Sequence, residues 1–132
     1  MPLYRTLIAP GLLDLDQREA FAGDVVDVHC DITGAPRSYV HVLFAEDHEG
    51  KLADGQNALV FGTIRAGRTD DQKHEIASRL SEALAGHAGV DAATVVAVSA
   101  DVDASRTMEG GKLLPEPGSA DEEMWKSLGA PS

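Results

Sequence analysis

The sequence predicts an α/β fold made of two consecutive β-α-β units. Three observations carry that expectation. Strand-length apolar runs alternate with longer stretches of helical periodicity, in the order β-α-β and then β-α-β again. Each helical stretch opens on a capping residue with glutamine three positions later, Asp14 with Gln17 and Thr69 with Gln72. Each also closes near a glycine. The expected product is a mixed four-stranded sheet with two helices on one face, a single domain over residues 1–132.

The elements follow in order. "LYRTLIAP" reads as a strand ended by the Pro10-Gly11 turn. Phe21, Val25, Val28 and Ile32 recur at helical spacing, so the first helix spans Leu15 to Ile32, with Gly34 as its C-cap. "SYVHVLFAE" supplies the second strand, from Ser38 to Glu46, and the polar "DHEGKLADGQ" a loop or hairpin. "NALVFGTI" is the third strand. Ile76, Leu80, Ala83 and Leu84 stripe the second helix, which Gly86 and Gly89 bring to an end. "ATVVAVSA" is the fourth strand. The tail from Asp101 has proline and glycine but little periodicity; "SADEEMWKSLGAPS" within it suits a short helix around Trp125, expected to pack on a neighbouring subunit.

Each helix then crosses over, right-handed, between parallel strands. Strands two to four are apolar on both faces, as in Val42 and Phe44 against Leu43, or Val95 and Ala97 against Val96 and Val98. Such a sheet needs cover on both sides, and two helices cover one. The other face is expected to meet another subunit, which predicts an oligomer.

Composition narrows the partners. A net charge of −11 without a basic stripe argues against nucleic acid and anionic membrane. No run approaches the roughly 18 apolar residues of a membrane span. The N-terminus lacks the features of a signal peptide, and the lone Cys30 suits a reducing compartment, so a cytoplasmic location is expected. Five histidines without ligand spacing give no metal site, and no cofactor is expected.

Against this acidic background "IRAGRT" stands out, with Arg65 and Arg68 flanking a turn before the second helix. Guanidinium groups and the free N–H groups of a helix start both attract carboxylate or phosphate; two solvated loop arginines are the competing reading. If strands one and three pair antiparallel, one end of the sheet gathers Pro2, His29, Arg65, Arg68 and the tail. Removal of Met1 would leave Pro2 with a free secondary amine, a group able to exchange a proton near neutral pH. His29 sits in the last turn of the first helix, where a plain buried histidine is the rival reading. Glu109, in "TMEGGKLLPEPG", is a lone carboxylate beside a Gly-Gly pair, and its rival reading is a surface residue.

Taken together, "MPLY", "VHCDITG", "VHVLF", "IRAGRTDDQK" and "RTMEGGKLLPEPGSADEEMW" resemble the tautomerase superfamily, and within it the cis-3-chloroacrylic acid dehalogenase group. The resemblance spans most of the chain in matching order. It implies a homotrimer and a catalytic N-terminal proline at Pro2. By position it also implies a histidine at His29, carboxylate-binding arginines at Arg65 and Arg68, and a water-activating glutamate at Glu109. Implied activities are keto-enol tautomerisation of small 2-oxo acids, or hydration of unsaturated ones with loss of halide. One departure concerns the dehalogenase tyrosine of strand four, whose matching position here is Val98; another is Gly110, where relatives carry a larger side chain. The readings carried forward are a tautomerase, a hydratase or dehalogenase of cis-3-haloacrylate-type acids, a non-catalytic trimeric binder of acidic metabolites, and a purely structural oligomer.

Overall fold

The computed structural model describes residues 1–128. Four strands, β1 (Leu3–Ile8), β2 (His41–Glu46), β3 (Ala58–Arg65) and β4 (Val95–Val102), form one sheet, and α1 (Leu15–Thr33) and α2 (Asp70–Ala88) are the two crossover helices. The strand order is β2-β1-β3-β4. β1 runs parallel to β2 and β3 parallel to β4, while β1 and β3 meet antiparallel. Leu3 therefore lies opposite Thr63, and the beginning of the chain sits beside the end of β3, as the sequence led us to expect.

Both helices start on capping boxes, Asp14 with Gln17 and Thr69 with Gln72, and both end on a left-handed glycine, Gly34 and Gly89. Only glycine adopts that conformation without a Cβ penalty. The capping glutamines do a second job. Gln17 Nε2 donates to the His87 carbonyl and Gln72 Nε2 to the Ile32 carbonyl, each satisfying an otherwise unpaired group in the last turn of the other helix. The two β-α-β units are thus clasped at both ends by the same device.

Phe21, Val25 and Val28 on α1 and Ile76, Leu80 and Leu84 on α2 pack over Tyr4, Ile8, Val60 and Ile64 of the sheet. At about 1.5–3 kcal/mol for each fully buried large apolar side chain, this layer is the main source of cohesion. On the opposite face Leu43, Phe61 and Val98 remain 56%, 37% and 44% exposed. Arg5 pairs with both Leu43 and Phe61, and Phe61 with Val98, so the four residues form one row across the uncovered face.

Several boundaries differ from expectation. Gly86 lies inside α2 rather than at its end, since the chain continues helical to Ala88. The second strand starts at His41, because Arg37–Tyr39 form a 3-10 turn after Pro36. The tail is also more ordered than its weak periodicity indicated. A small hairpin, β5 (Met108–Glu109) and β6 (Lys112–Leu113), is followed by α3 (Ala120–Leu128). Residues 129–132 of the expected tail helix lie outside the described residues.

Trp125 corrects the expectation that it would pack on a neighbour. It folds back on its own chain, stacked on Tyr39 with ring centroids 5.0 Å apart and clustered with Ala35, Ala104 and Leu114. An aromatic ring on a nine-residue amphipathic helix needs an apolar partner, and the turn before β2 supplies one at no cost in association entropy.

Candidate active site

The end of the sheet where β1 begins and β3 ends gathers four groups of polar side chains. Pro2, just before β1, and Tyr4 within it lie two residues apart on the helix-covered side, where both are almost completely buried. His29 enters the same region from the last turn of α1 and is 2% exposed. The Tyr4 hydroxyl lies 2.7 Å from His29 Nδ1. His29 is neutral: burial, then the charges of Arg68, the amino terminus and Arg65, push its pKa down to about 3. The buried Tyr4 proton needs an acceptor, and Nδ1 supplies it. The imidazole proton consequently resides on Nε2.

Gly62 makes this pair possible. It lies opposite Tyr4 across the β1–β3 ladder, and a Cβ there would come within 2.6 Å of the tyrosine ring. The ring occupies the space that a side chain would take.

Arg65 ends β3 and is buried. Its guanidinium donates to the Pro115 carbonyl at 2.7 Å and to Glu122 at 2.6 Å, and stands 4.8 Å from the centre of the Trp125 ring. Arg68 follows after a turn in which Gly67 has φ +114° and packs on Pro117 of the tail. Arg68 makes no ion pair among the described residues, and its Nε is buried without a partner. Burial first, and then Arg65, lowers its pKa, against an opposing pull from the Glu122 charge.

Glu109, on the hairpin, meets the amino terminus. One carboxylate oxygen pairs with the Met1 ammonium, and the other accepts from Trp125 Nε1 at 3.4 Å. The Met1 amine is depressed to about 6 by burial and then by the charge of Arg65. With Met1 in place the Pro2 nitrogen is an amide and has no proton chemistry. A pocket of about 570 Å³ opens here, bounded by Met1, Pro2, Tyr39, Thr63, Glu109 and Gly110. A second cavity of about 580 Å³ shares Tyr39, Glu109 and Gly110 and continues along α3 past Trp125 and Met124.

The five residues singled out in the sequence are linked in different ways. Pro2 and Glu109 line one pocket. His29 feels the charges of both arginines and of the amino terminus. Arg65 reaches Glu109 through Trp125. His29, Arg65 and Arg68 do not themselves line the Pro2 pocket. Val98 lies on the uncovered face and does not line it either. Among the described residues, no group of three His, Cys, Asp or Glu side chains could hold a metal ion, and no helix is long and apolar enough to cross a membrane.

Sequence reasoning missed Tyr4, Tyr39, Glu122 and Trp125 as parts of this region. Strand parity was the available signal for Tyr4, two residues from Pro2 on the same face. For Glu122 it was the three-residue spacing from Trp125, which sets both on one side of α3.

A family model described as putative oxalocrotonate tautomerase enzyme matches residues 1–129. The chain belongs to this tautomerase family. Among solved structures it is similar to N1, a member of the cis-3-chloroacrylic acid dehalogenase family, at 31% identity and TM-score 0.82, over 93% of this chain and 89% of that one. It is also similar to native Ps01740, at 37% identity and TM-score 0.73, covering 81% and 99% of the two chains. A fused 4-OT that forms a symmetric trimer shares the fold, at 24% identity and TM-score 0.73 over 85% of this chain and 94% of that one. No curated protein matches the chain. Family membership agrees with the resemblance drawn from the sequence, and the neighbours agree with the two-unit β-α-β fold.

Proposed function

We propose that this tautomerase-family protein, once Met1 is removed, uses the Pro2 amine for proton transfer on a small 2-oxo or unsaturated carboxylate, catalysing keto-enol tautomerisation in one domain. The observation that carries this reading is the amine site itself: a half-buried N-terminus beside Glu109, where burial and then the charge of Arg65 lower the Met1 amine. The same two influences would act on a free Pro2 amine and favour its neutral form, the one able to act as a base.

Each residue then has a task. Arg68, with Arg65 beside it, attracts the substrate carboxylate. Neutral His29 presents Nε2–H to an oxygen on which charge develops, its ring held by Tyr4. Neutral Pro2 takes a proton from the carbon next to the carbonyl and returns it at the other end of the enol system. Glu109 tunes that amine through its negative charge. The row Leu43–Arg5–Phe61–Val98 supports assembly as a homotrimer, since it leaves apolar area that a partner would cover.

Hydration with halide release is the second reading, favoured by one observation, the Glu109 carboxylate facing the amine. It requires Glu109 to activate water, and the hydroxyl of the related dehalogenase strand is replaced by Val98. Binding of an acidic metabolite without turnover is the reading outside enzymology.

Intact-mass spectrometry with a phenylpyruvate enol assay decides among these. The mature protein should lack Met1 and ketonise the enol, and Pro2→Ala should lose about 10²- to 10⁴-fold in rate, the usual worth of a positioned base. Retained Met1, or a Pro2→Ala variant as active as its parent, overturns the proposal. Rapid chloride release from cis-3-chloroacrylate would favour the hydratase reading instead.

A further inference from the structure

Arg65 is engaged by its own chain at both terminal nitrogens, while its buried Nε, like that of Arg68, lacks a partner. Glu122 Oε2 and the Pro115 carbonyl take its terminal nitrogens, and the Trp125 ring covers it. Glu122 is equally committed: it is 13% exposed at the side chain, and its other oxygen accepts from the Gly118 N–H at 3.3 Å and lies 3.6 Å from Lys126. Burial works against the Glu122 charge, but Arg65, Gly118 and Lys126 outweigh it and hold the carboxyl below its ordinary value. Arg68, three positions after Arg65, makes no ion pair among the described residues, although it feels the charge of Glu122.

The arrangement sets a charge limit. Two guanidinium groups share one carboxylate, Glu122, which pairs with Arg65 and also acts on the charge of Arg68. A ligand carrying one carboxylate finds Arg68 without an ion pair. A second carboxylate finds Arg65 already paired and the Glu122 charge beside it, in surroundings where an unpaired charge is costly.

We propose that Glu122 is a specificity-determining residue, an internal carboxylate that keeps Arg65 occupied and so restricts the arginine turn to monocarboxylates. The inference rests on the reading of the arginine turn as a carboxylate site. Removal of Glu122 creates a second anion position, at Arg65.

Crotonate and fumarate test this, because they share a four-carbon trans-alkene frame and differ by a methyl in place of a carboxylate. Each is titrated calorimetrically into the mature full-length protein, into Glu122→Gln, and into Glu123→Gln as an exposed control on the same helix. Folding is checked by circular dichroism. The parent should bind crotonate more tightly than fumarate. Glu122→Gln should tighten fumarate about tenfold, the scale of one charge-assisted contact, and leave crotonate within about threefold. Glu123→Gln should change neither.

A parent that prefers fumarate overturns the inference whether or not the variant folds. So does a Glu122→Gln variant in which both ligands weaken together, which would make Glu122 a support for Arg65, or in which neither changes. Binding that is lost in Arg68→Ala but insensitive to Glu122 overturns the inference alone. Absence of binding by either ligand to the parent removes the carboxylate-site reading as well.

Discussion

His29 carries the plainest consequence at the scale of single residues. Its folded pKa is depressed to about 3, mainly by burial. The unfolded chain takes up a proton near 6.5 and the folded one does not, so the histidine's contribution to stability is present above that value and lost as the pH falls towards about 3. Between pH 6.5 and 5 carboxylates stay ionised, and the slope belongs to histidine. Stability of the parent should fall by up to about 1.4 kcal/mol per pH unit more steeply there than that of His29→Gln, by denaturant titration. Equal slopes would mean His29 is protonated in the folded protein. A second residue-scale prediction concerns the amine. If Pro2 acts as a base, kcat/KM should rise with pH through a limb below the ordinary amine value, because the burial and the Arg65 charge that lower the Met1 amine would act on Pro2 as well. Arg65→Gln should move that limb upward, since Arg65 contributes to the depression after burial. A limb that stays put would remove Arg65 from the electrostatics of the amine.

Among the elements, β1, β3 and α1 hold the Tyr4–His29 pair through a single missing side chain. Gly62→Ala brings a methyl to 2.6 Å from the tyrosine ring, which must move. The expected result is destabilisation of about 1–3 kcal/mol, as for other overpacked cores. Tyr4→Phe removes the hydroxyl while keeping the ring, and should cost about 0.5–1.5 kcal/mol, the usual worth of one hydrogen bond. Thermal unfolding measures both. The catalytic signature separates position from packing: Tyr4→Phe should lower kcat, because the His29 tautomer is no longer specified, more than it raises KM. The capping boxes were legible because Asp14, Gln17, Thr69 and Gln72 act within one turn. The clasp by which the same glutamines reach the opposite helix was not, since it depends on how α1 and α2 lie side by side.

At the scale of the whole molecule, the uncovered sheet face is the feature that needs a partner. Phe61→Lys places a like charge opposite Arg5 in the middle of the apolar row. It should convert the proposed trimer to monomers by sedimentation analysis, with the α1–α2 layer intact by circular dichroism. A parent that sediments as a monomer would defeat the assembly reading. The element order, the antiparallel meeting of β1 and β3 and the convergence of Pro2, His29, Arg65 and Arg68 all followed from alternation and topology. The hairpin carrying Glu109 and the inward fold of Trp125 did not. Their short segments have too few residues to establish a period, and long-range contacts decide their shape.

The sequence by itself determined the two-unit fold, the capping chemistry and the apolar second face, because each is written in local spacing or in rules of strand connection; it nominated the residues of the candidate site. Only the tertiary structure decided which charges are already paired. Arg65 and Arg68 stand three residues apart and look alike in the chain, yet one is sealed by Glu122, Pro115 and Trp125 while the other makes no ion pair among the described residues. A guanidinium's availability depends on what a distant segment brings to it, and that segment, α3, arrives from 57 positions further along the chain.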